Sequence, residues 1–429
     1  MRQARLIGIV AGVAAMLLVP VSLRAAGFAL FEHSARAVAL GGAFSATADD
    51  PSAIYFNPAG LAFQDGFNVA AGVYFITESA TFKGVNPFPG QGYSVNMESE
   101  IFFPVHVYAA GPLGTNVRWG LGVYCPFGLG TWWPSDYAGR YITKRVDLKV
   151  FNINPTLSFR LGRNFAFAVG ADYFDSDIDL TKSLGAINPY TQQVAEVGQV
   201  HMYTPMAGGW GWNIGLLGKL DGGWSVGATY RSNVTINYKG SAKFQQFQTG
   251  YADFDAIVAG SLPFAAPPDA TSKIKYPNEV RLALAWHGER WGVEADAVRM
   301  GWSSFTDLPI TLPGYAALSQ DRPENYQDAD TYRLGVEYKS SPTLSWQFGA
   351  LRDMTPVPVG SVSPLLPDAN RTGFSVGAGW KMTPKTELDV SYLYLRFDPR
   401  STQGQDHDNF NGTYTTTANL FGFTVVHKF

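Results

Sequence analysis

The sequence predicts an all-β fold: a transmembrane antiparallel β-barrel of about fourteen strands with an N-terminal plug in the lumen. Three observations carry it. The chain opens with an export leader, its composition is poor in charge but rich in aromatics and glycine, and strand-like segments recur with alternately short and long connections.

The leader comes first. Arg2 and Arg5 form a basic start, Leu6 to Leu18 an apolar stretch, and Pro20 to Ala26 a small-residue exit, so residues 1–25 read as a signal peptide. Cleavage after Ala25 or Ala26 fits equally. The apolar stretch is too short, and too soon followed by Arg24, for a membrane anchor. Beyond it no run of about 18 apolar residues occurs, so a helical span is not expected.

Composition separates a barrel from a soluble domain. Charged residues make up 16%, against ~25% in soluble domains. Aromatics reach 14%, and 46 of the 429 residues are glycine. A formal charge of -3 gives no footprint for nucleic acid. The single cysteine, Cys125, excludes an intramolecular disulfide and a multi-cysteine metal cluster.

Residues 26–66 precede the first strand and read as the plug. "SARAVALGGAFSATA" is dominated by small residues that suit a narrow space, and the turn-rich "DDPSAIYFNPAGLA" follows it. Ile54, Tyr55, Phe56, Leu61 and Phe63 are too apolar for a disordered leader.

Residues 67–429 read as the barrel. Phe67, Val69, Ala71, Val73 and Phe75 recur at every second position, as do Trp224, Val226, Ala228 and Tyr230, then Val280, Leu282, Leu284 and Trp286. Period two with one apolar and one small or polar face is a strand between lipid and a lumen. The strands fall near 67–82, 100–111, 116–126, 146–162, 164–180, 208–220, 223–240, 276–288, 290–304, 328–340, 343–354, 370–382, 385–398 and 412–429. Short turns such as "LGRN" and "LDGG" alternate with long connections such as 127–145, 181–207 and 241–275. Phe429 closes the last alternating strand with an aromatic, as bacterial outer-membrane barrels do.

Several stretches are similar to one family. They include "AGFALFEHSARAVALGGAFSATADDPSAIYFNPAGLA" at 26–62, "GLGVYCPFGLGTWWPSDYAGRYITKRVDLKVFNINPTLSFRL" at 120–161, "YPNEVRLALAW" at 276–286 and "RDMTPVPVGSVSPLLPDANR" at 352–371. The chain resembles the outer-membrane long-chain fatty-acid transporters, the FadL/TodX-type channels for hydrophobic compounds. The resemblance implies a fourteen-stranded barrel closed by an N-terminal hatch. Ligand would enter an outer apolar groove, pass to an interior pocket and leave sideways through a gap beside a kinked third strand. It also implies a Gram-negative outer membrane, insertion by the barrel-assembly machinery, a monomer and no cofactor. Long-chain fatty acids are the expected substrates; aromatic hydrocarbons are the alternative.

The resemblance assigns the hatch triplet to Asn57, Pro58 and Ala59, and an aromatic reaching toward the interior pocket to Phe28. A rigid turn that merely holds the hatch accounts for the triplet equally well. Pro126 and Gly128 follow the third strand's apolar residues, and read either as an ordinary strand end or as a lateral gap. Arg231, Arg281 and Arg333 face the lumen, where they meet either neighbouring acids such as Glu279, Glu294 and Glu337 or a ligand carboxylate. Six scattered histidines, with no HExxH, give no catalytic or metal grouping. An outer-membrane hydrolase and a water-filled porin are the other classes. Activity on phospholipid in detergent tests the first, and bilayer conductance the second.

Overall fold

The computed structural model describes residues 27–429; the expected signal peptide lies outside them. Fourteen antiparallel strands close into a barrel. They are β1 (Asn68–Gly84), β2 (Val105–Pro112), β3 (Val117–Trp132), β4 (Arg145–Leu161), β5 (Phe165–Ile187), β6 (Val194–Lys219) and β7 (Trp224–Arg231, resuming as Val234–Gln246). Then come β8 (Asp269–Tyr276, resuming as Glu279–His287), β9 (Trp291–Met300), β10 (Ala329–Lys339), β11 (Leu344–Asp353), β12 (Arg371–Thr383), β13 (Thr386–Phe397) and β14 (Gly412–Lys428). Each pairs with its neighbour, and β1 pairs with β14 from Asn68↔Lys428 to Gly84↔Gly412. Closure removes the free sheet edge over most of the wall, as a backbone in hydrocarbon requires.

The alternation settles which way each strand faces. On β8, Val280 and Leu282 point outward while Glu279, Arg281, Ala283 and Ala285 are buried inside. On β9, Glu294 and Asp296 are buried while Trp291 and Val293 face out.

Three connections differ from the sequence expectation, the first being 127–145, into which β3 runs as far as Trp132. Residues 181–207 are not a loop. The β5–β6 ladder continues through them to Ile187↔Val194, so the two strands rise as one long hairpin. Its alternation is blurred by glycine, lysine and threonine, as expected where a strand has left lipid for water. In 241–275, β7 runs on to Gln246 and a helix, Ala252–Ser261, follows.

Residues 27–66 sit inside the barrel, almost wholly buried. Ser34 accepts the Ala37 N–H and starts a short helix, α1 (Ala35–Ala39). Gly41 and Gly42, at φ 68° and 80°, turn the chain sharply against the wall. A second short helix, α2 (Ala53–Phe56), leads into the 3₁₀ turn Pro58–Phe63. Wall carboxylates hold the segment between the helices. Glu294 accepts the Ala46 and Thr47 N–H groups at 2.6 and 2.9 Å. Asp296 accepts the Ser45 N–H and hydroxyl at 3.2 and 2.7 Å. Arg36 forms a two-pronged pair with Glu337 of β10 at 2.9 and 3.1 Å. The turn-rich segment quoted from the sequence is thus the floor of the plug.

Planar-bilayer recording checks the plug. The intact protein is expected to show no large steady conductance, and deletion of 27–66 to open one. A large steady conductance in the intact protein would contradict a filled lumen.

Candidate functional site: two apolar cavities and a seam in the wall

Asn57 is fully buried where hatch and wall meet. Its amide nitrogen donates to the Ser45 carbonyl at 2.8 Å and to the Leu216 carbonyl of β6 at 3.0 Å, and its Oδ1 accepts the Ala59 N–H at 3.2 Å. Pro58 occupies the first position of the turn, where a missing N–H costs nothing. The wall is cut away to receive them. A Cβ on Gly215 would stand 2.5 Å from Asn57 Oδ1 and 2.9 Å from Pro58 Cδ.

Above the hatch lie two cavities. The outer one has about 920 Å³ of free space and is lined by Leu180, Met202, Ile274, Leu308, Ile310 and Leu365 among others. The inner one has about 1150 Å³ and reaches from the hatch arm to the wall. Phe28, Leu129, Leu148 and Leu366 border both. The Phe28 ring meets Trp302, Phe305, Phe127 and Tyr276 edge-on, with centroids 4.8, 5.9, 6.0 and 6.1 Å away. It is one of the four side chains that stand between the two spaces. Beside it, Gly27 donates its N–H to buried Asp368 at 3.0 Å. Burial pushes the Asp368 carboxyl up to about 6 against the pull of Arg371.

The inner cavity ends at a seam. β2 and β3 pair from Pro112↔Arg118 only as far as Val107↔Val123. The next backbone hydrogen bond between the two sides is the Glu98 N–H on the Trp132 carbonyl, 2.7 Å. On the β2 side, Pro104 breaks the strand after Ile101–Phe102. On the other side, β3 does not stop at Pro126, as one reading of the sequence had it. It passes through Pro126 and Gly128 to Trp132, with a register shift between Tyr124 and Phe127 against β4. The hatch arm supplies backbone partners there: the Leu30 N–H donates to the Pro126 carbonyl at 2.9 Å, and the Gly128 N–H to the Phe28 carbonyl at 3.0 Å. Phe102 lies over Gly130, where even a Cβ would come within 2.2 Å of its ring. Phe102 fills the space over Gly130, and Phe103, Pro104 and Cys125 border the inner cavity beside it.

A fourteen-strand antiparallel barrel with an N-terminal plug is the fold the sequence resemblance implied. The sequence profile of the family described as "Outer membrane protein transport protein (OMPP1/FadL/TodX)" matches residues 16–429. The chain belongs to this family. It is thus a transport protein of the Gram-negative outer membrane. Among OMPP1/FadL/TodX relatives, a long-chain fatty acid transport protein of Salmonella typhi is 27% identical over 86% of this chain and 87% of that one. A solved FadL homologue of Pseudomonas aeruginosa superposes with a TM-score of 0.81 at 20% identity, covering 94% of this chain and 100% of that one. The Pseudomonas putida toluene transporter TodX gives 0.71 at 19% identity, covering 94% and 99%.

The three lumen arginines singled out in the sequence do not border either apolar cavity. They lie lower, against the hatch. Arg231 is paired with Asp172 of β5 in a short contact. Arg281 grips Glu279 at 2.6 and 2.9 Å and stacks 4.4 Å from the Tyr55 ring centroid. Arg333 stands 4.0 Å from the ring centroid of Phe31. Acids compensate Arg231 and Arg281, as buried charge requires, whereas Arg333 Nε and Nη1 are buried without a hydrogen-bond partner.

Two other cations are better placed. Lys182 on the β5 extension and Arg322 in the loop before β10 border a smaller polar cavity, about 550 Å³, that shares Leu180, Met202, Leu308, Ile310 and Leu365 with the outer groove. Lys182 Nζ donates to Gln320 Oε1 at 2.9 Å. Arg322 pairs with Glu324 and Asp408, and its Nη2 is buried without a hydrogen-bond partner. Burial pushes the Glu324 carboxyl up to about 7 against the pull of Arg322. Neither cation was legible in the sequence, because both lie in connections whose path was unknown. "IFFPVHV" did carry a signal for the seam: a proline inside an alternating strand.

Proposed function

We propose that this channel takes up long-chain fatty acids, or monoanionic chains of like shape. The carboxylate meets Lys182 and Arg322 at the mouth of the outer groove while the tail lies in the groove. One observation carries this reading: the apolar groove ends at two cations, one of them with an open buried donor. A carboxylate leaving water needs such a partner, and an aromatic hydrocarbon gains nothing from one. The long-chain fatty acid transport protein of Salmonella typhi, similar along most of its length, agrees with it. Past Phe28 the tail enters the inner cavity, and the seam at Phe102 and Gly130 is the exit to the membrane interior. Direct delivery spares the chain exposure to periplasmic water, at about 0.8 kcal/mol for each CH₂. Phe28 is the moving partition, and Asn57-Pro58-Ala59 fixes the floor beneath it. Membrane insertion by the barrel-assembly machinery, and a monomeric barrel, belong to the same proposal.

The test compares oleate, oleyl alcohol and toluene on the intact protein and on Lys182→Met. A charge-assisted contact contributes roughly 1.5–3 kcal/mol, so oleate binding is expected to weaken about tenfold or more. The alcohol is expected to be nearly unaffected. Tight toluene binding, with oleate indifferent to the substitution, would favour a hydrocarbon channel.

A further inference from the structure

At the periplasmic mouth, on the side of the short turns, a polar cavity with about 1040 Å³ of free space lies between the hatch and strands β10 to β14. It shares no lining residue with the two apolar cavities. Ser345, Gly379 and Asp389 are direct neighbours across β11, β12 and β13, and Glu387 precedes Asp389 by two on the same face. Gly379 leaves a hole in this row, and three oxygens turn toward it. The point where a Cβ would stand is 2.7 Å from Asp389 Oδ1, 2.8 Å from Ser345 Oγ and 3.0 Å from Glu387 Oε1.

Asp389 is 1% exposed, and its Oδ1 has no hydrogen-bond partner. A carboxylate oxygen out of water, with a second carboxylate beside it, calls for a positive charge. Lys339, Lys381 and Lys428 border the cavity, but none donates to that oxygen. The convergent atoms are all oxygen, and the cavity has room for water. That combination selects a hard, partly hydrated cation over zinc or copper.

We propose that the hole at Gly379 binds one divalent cation of the Ca²⁺ or Mg²⁺ class. Asp389 Oδ1, Glu387 Oε1 and Ser345 Oγ are its protein ligands, and water completes the shell. Metal–oxygen distances of about 2.0–2.6 Å are reached by small rotations of the three side chains. The bound ion joins β11 to β13 across Gly379 of β12, within the cavity that Arg36 and Asp50 of the hatch also border.

Titration calorimetry with Ca²⁺ and, separately, Mg²⁺ tests this on chelator-treated protein refolded free of lipopolysaccharide, which itself binds these ions. One saturable equivalent is expected for at least one of them. Gly379→Ala puts a methyl in the hole and Asp389→Asn removes the open carboxylate. Each is expected to weaken binding tenfold or more, with heat-modifiability on gels showing the barrel intact. Should Gly379→Ala fail to fold, Asp389→Asn decides. No saturable binding in the wild type, or unchanged affinity in folded Asp389→Asn, overturns the proposal.

Discussion

Oxidising a Val105→Cys variant is expected to stop uptake, and dithiothreitol to restore it. The native thiol is already in position. The β2–β3 ladder ends at Val107↔Val123, and two residues further along Cys125 Sγ lies 3.9 Å from the Val105 carbonyl oxygen. Facing residues of antiparallel strands have Cα atoms about 4.5–5.5 Å apart, within the span a disulfide bridges. A bond there staples the seam from one edge to the other. If substrate leaves between these edges, transport should fall by about tenfold or more, since a covalent closure allows no thermal opening. The same variant on a Cys125→Ser background should not respond to oxidant, which separates the crosslink from general oxidation. Mass spectrometry verifies the bond. Undiminished uptake through a verified crosslink would place the exit elsewhere.

The second large effect concerns Asn57. Replacing it with alanine strands the Ser45 and Leu216 carbonyls and the Ala59 N–H, all now served by one amide. An orphaned buried group costs about 1–3 kcal/mol, so the hatch floor should loosen by several kcal/mol. The wall keeps its own ladders and should stay folded and heat-modifiable. Hydrogen exchange across residues 44–63 is expected to accelerate on the order of 100-fold, with uptake falling alongside. Asn57→Asp retains the acceptor and loses both donations, so it should lie between. Unchanged exchange and uptake in Asn57→Ala would make the triplet a passive turn.

What could be read in the sequence follows from how local each feature is. Strand direction and facing were legible because Val280, Leu282 and Leu284 repeat at the spacing the pleat imposes. The plug was legible because Ile54, Tyr55 and Phe56 need cover that no strand provides. Pro126 and Gly128 mark a break in the alternation but leave its meaning open, since a proline ends one strand and kinks another. The partner that decides between them, the Phe28–Leu30 backbone, lies nearly a hundred residues away. The arginines show the same limit. Facing the lumen is a property of alternation, whereas bordering a cavity depends on where the hatch is absent. Lys182 and Arg322 come together only because a raised hairpin meets a folded loop.

The backbone bonds between the hatch arm and β3 give the channel a resting position of its own. When the arm withdraws, the Pro126 carbonyl and the Gly128 N–H lose their partners in apolar surroundings, at about 1–3 kcal/mol each. Pro126 has no N–H to strand, so the deficit stays small enough for thermal motion to reach. On the proposed route the arm would act as a spring-loaded latch, opened by agitation and by the arriving chain, and reset by its own hydrogen bonds. Such a latch draws on no nucleotide and no membrane potential. It sets the direction of traffic only through what removes the cargo on the far side.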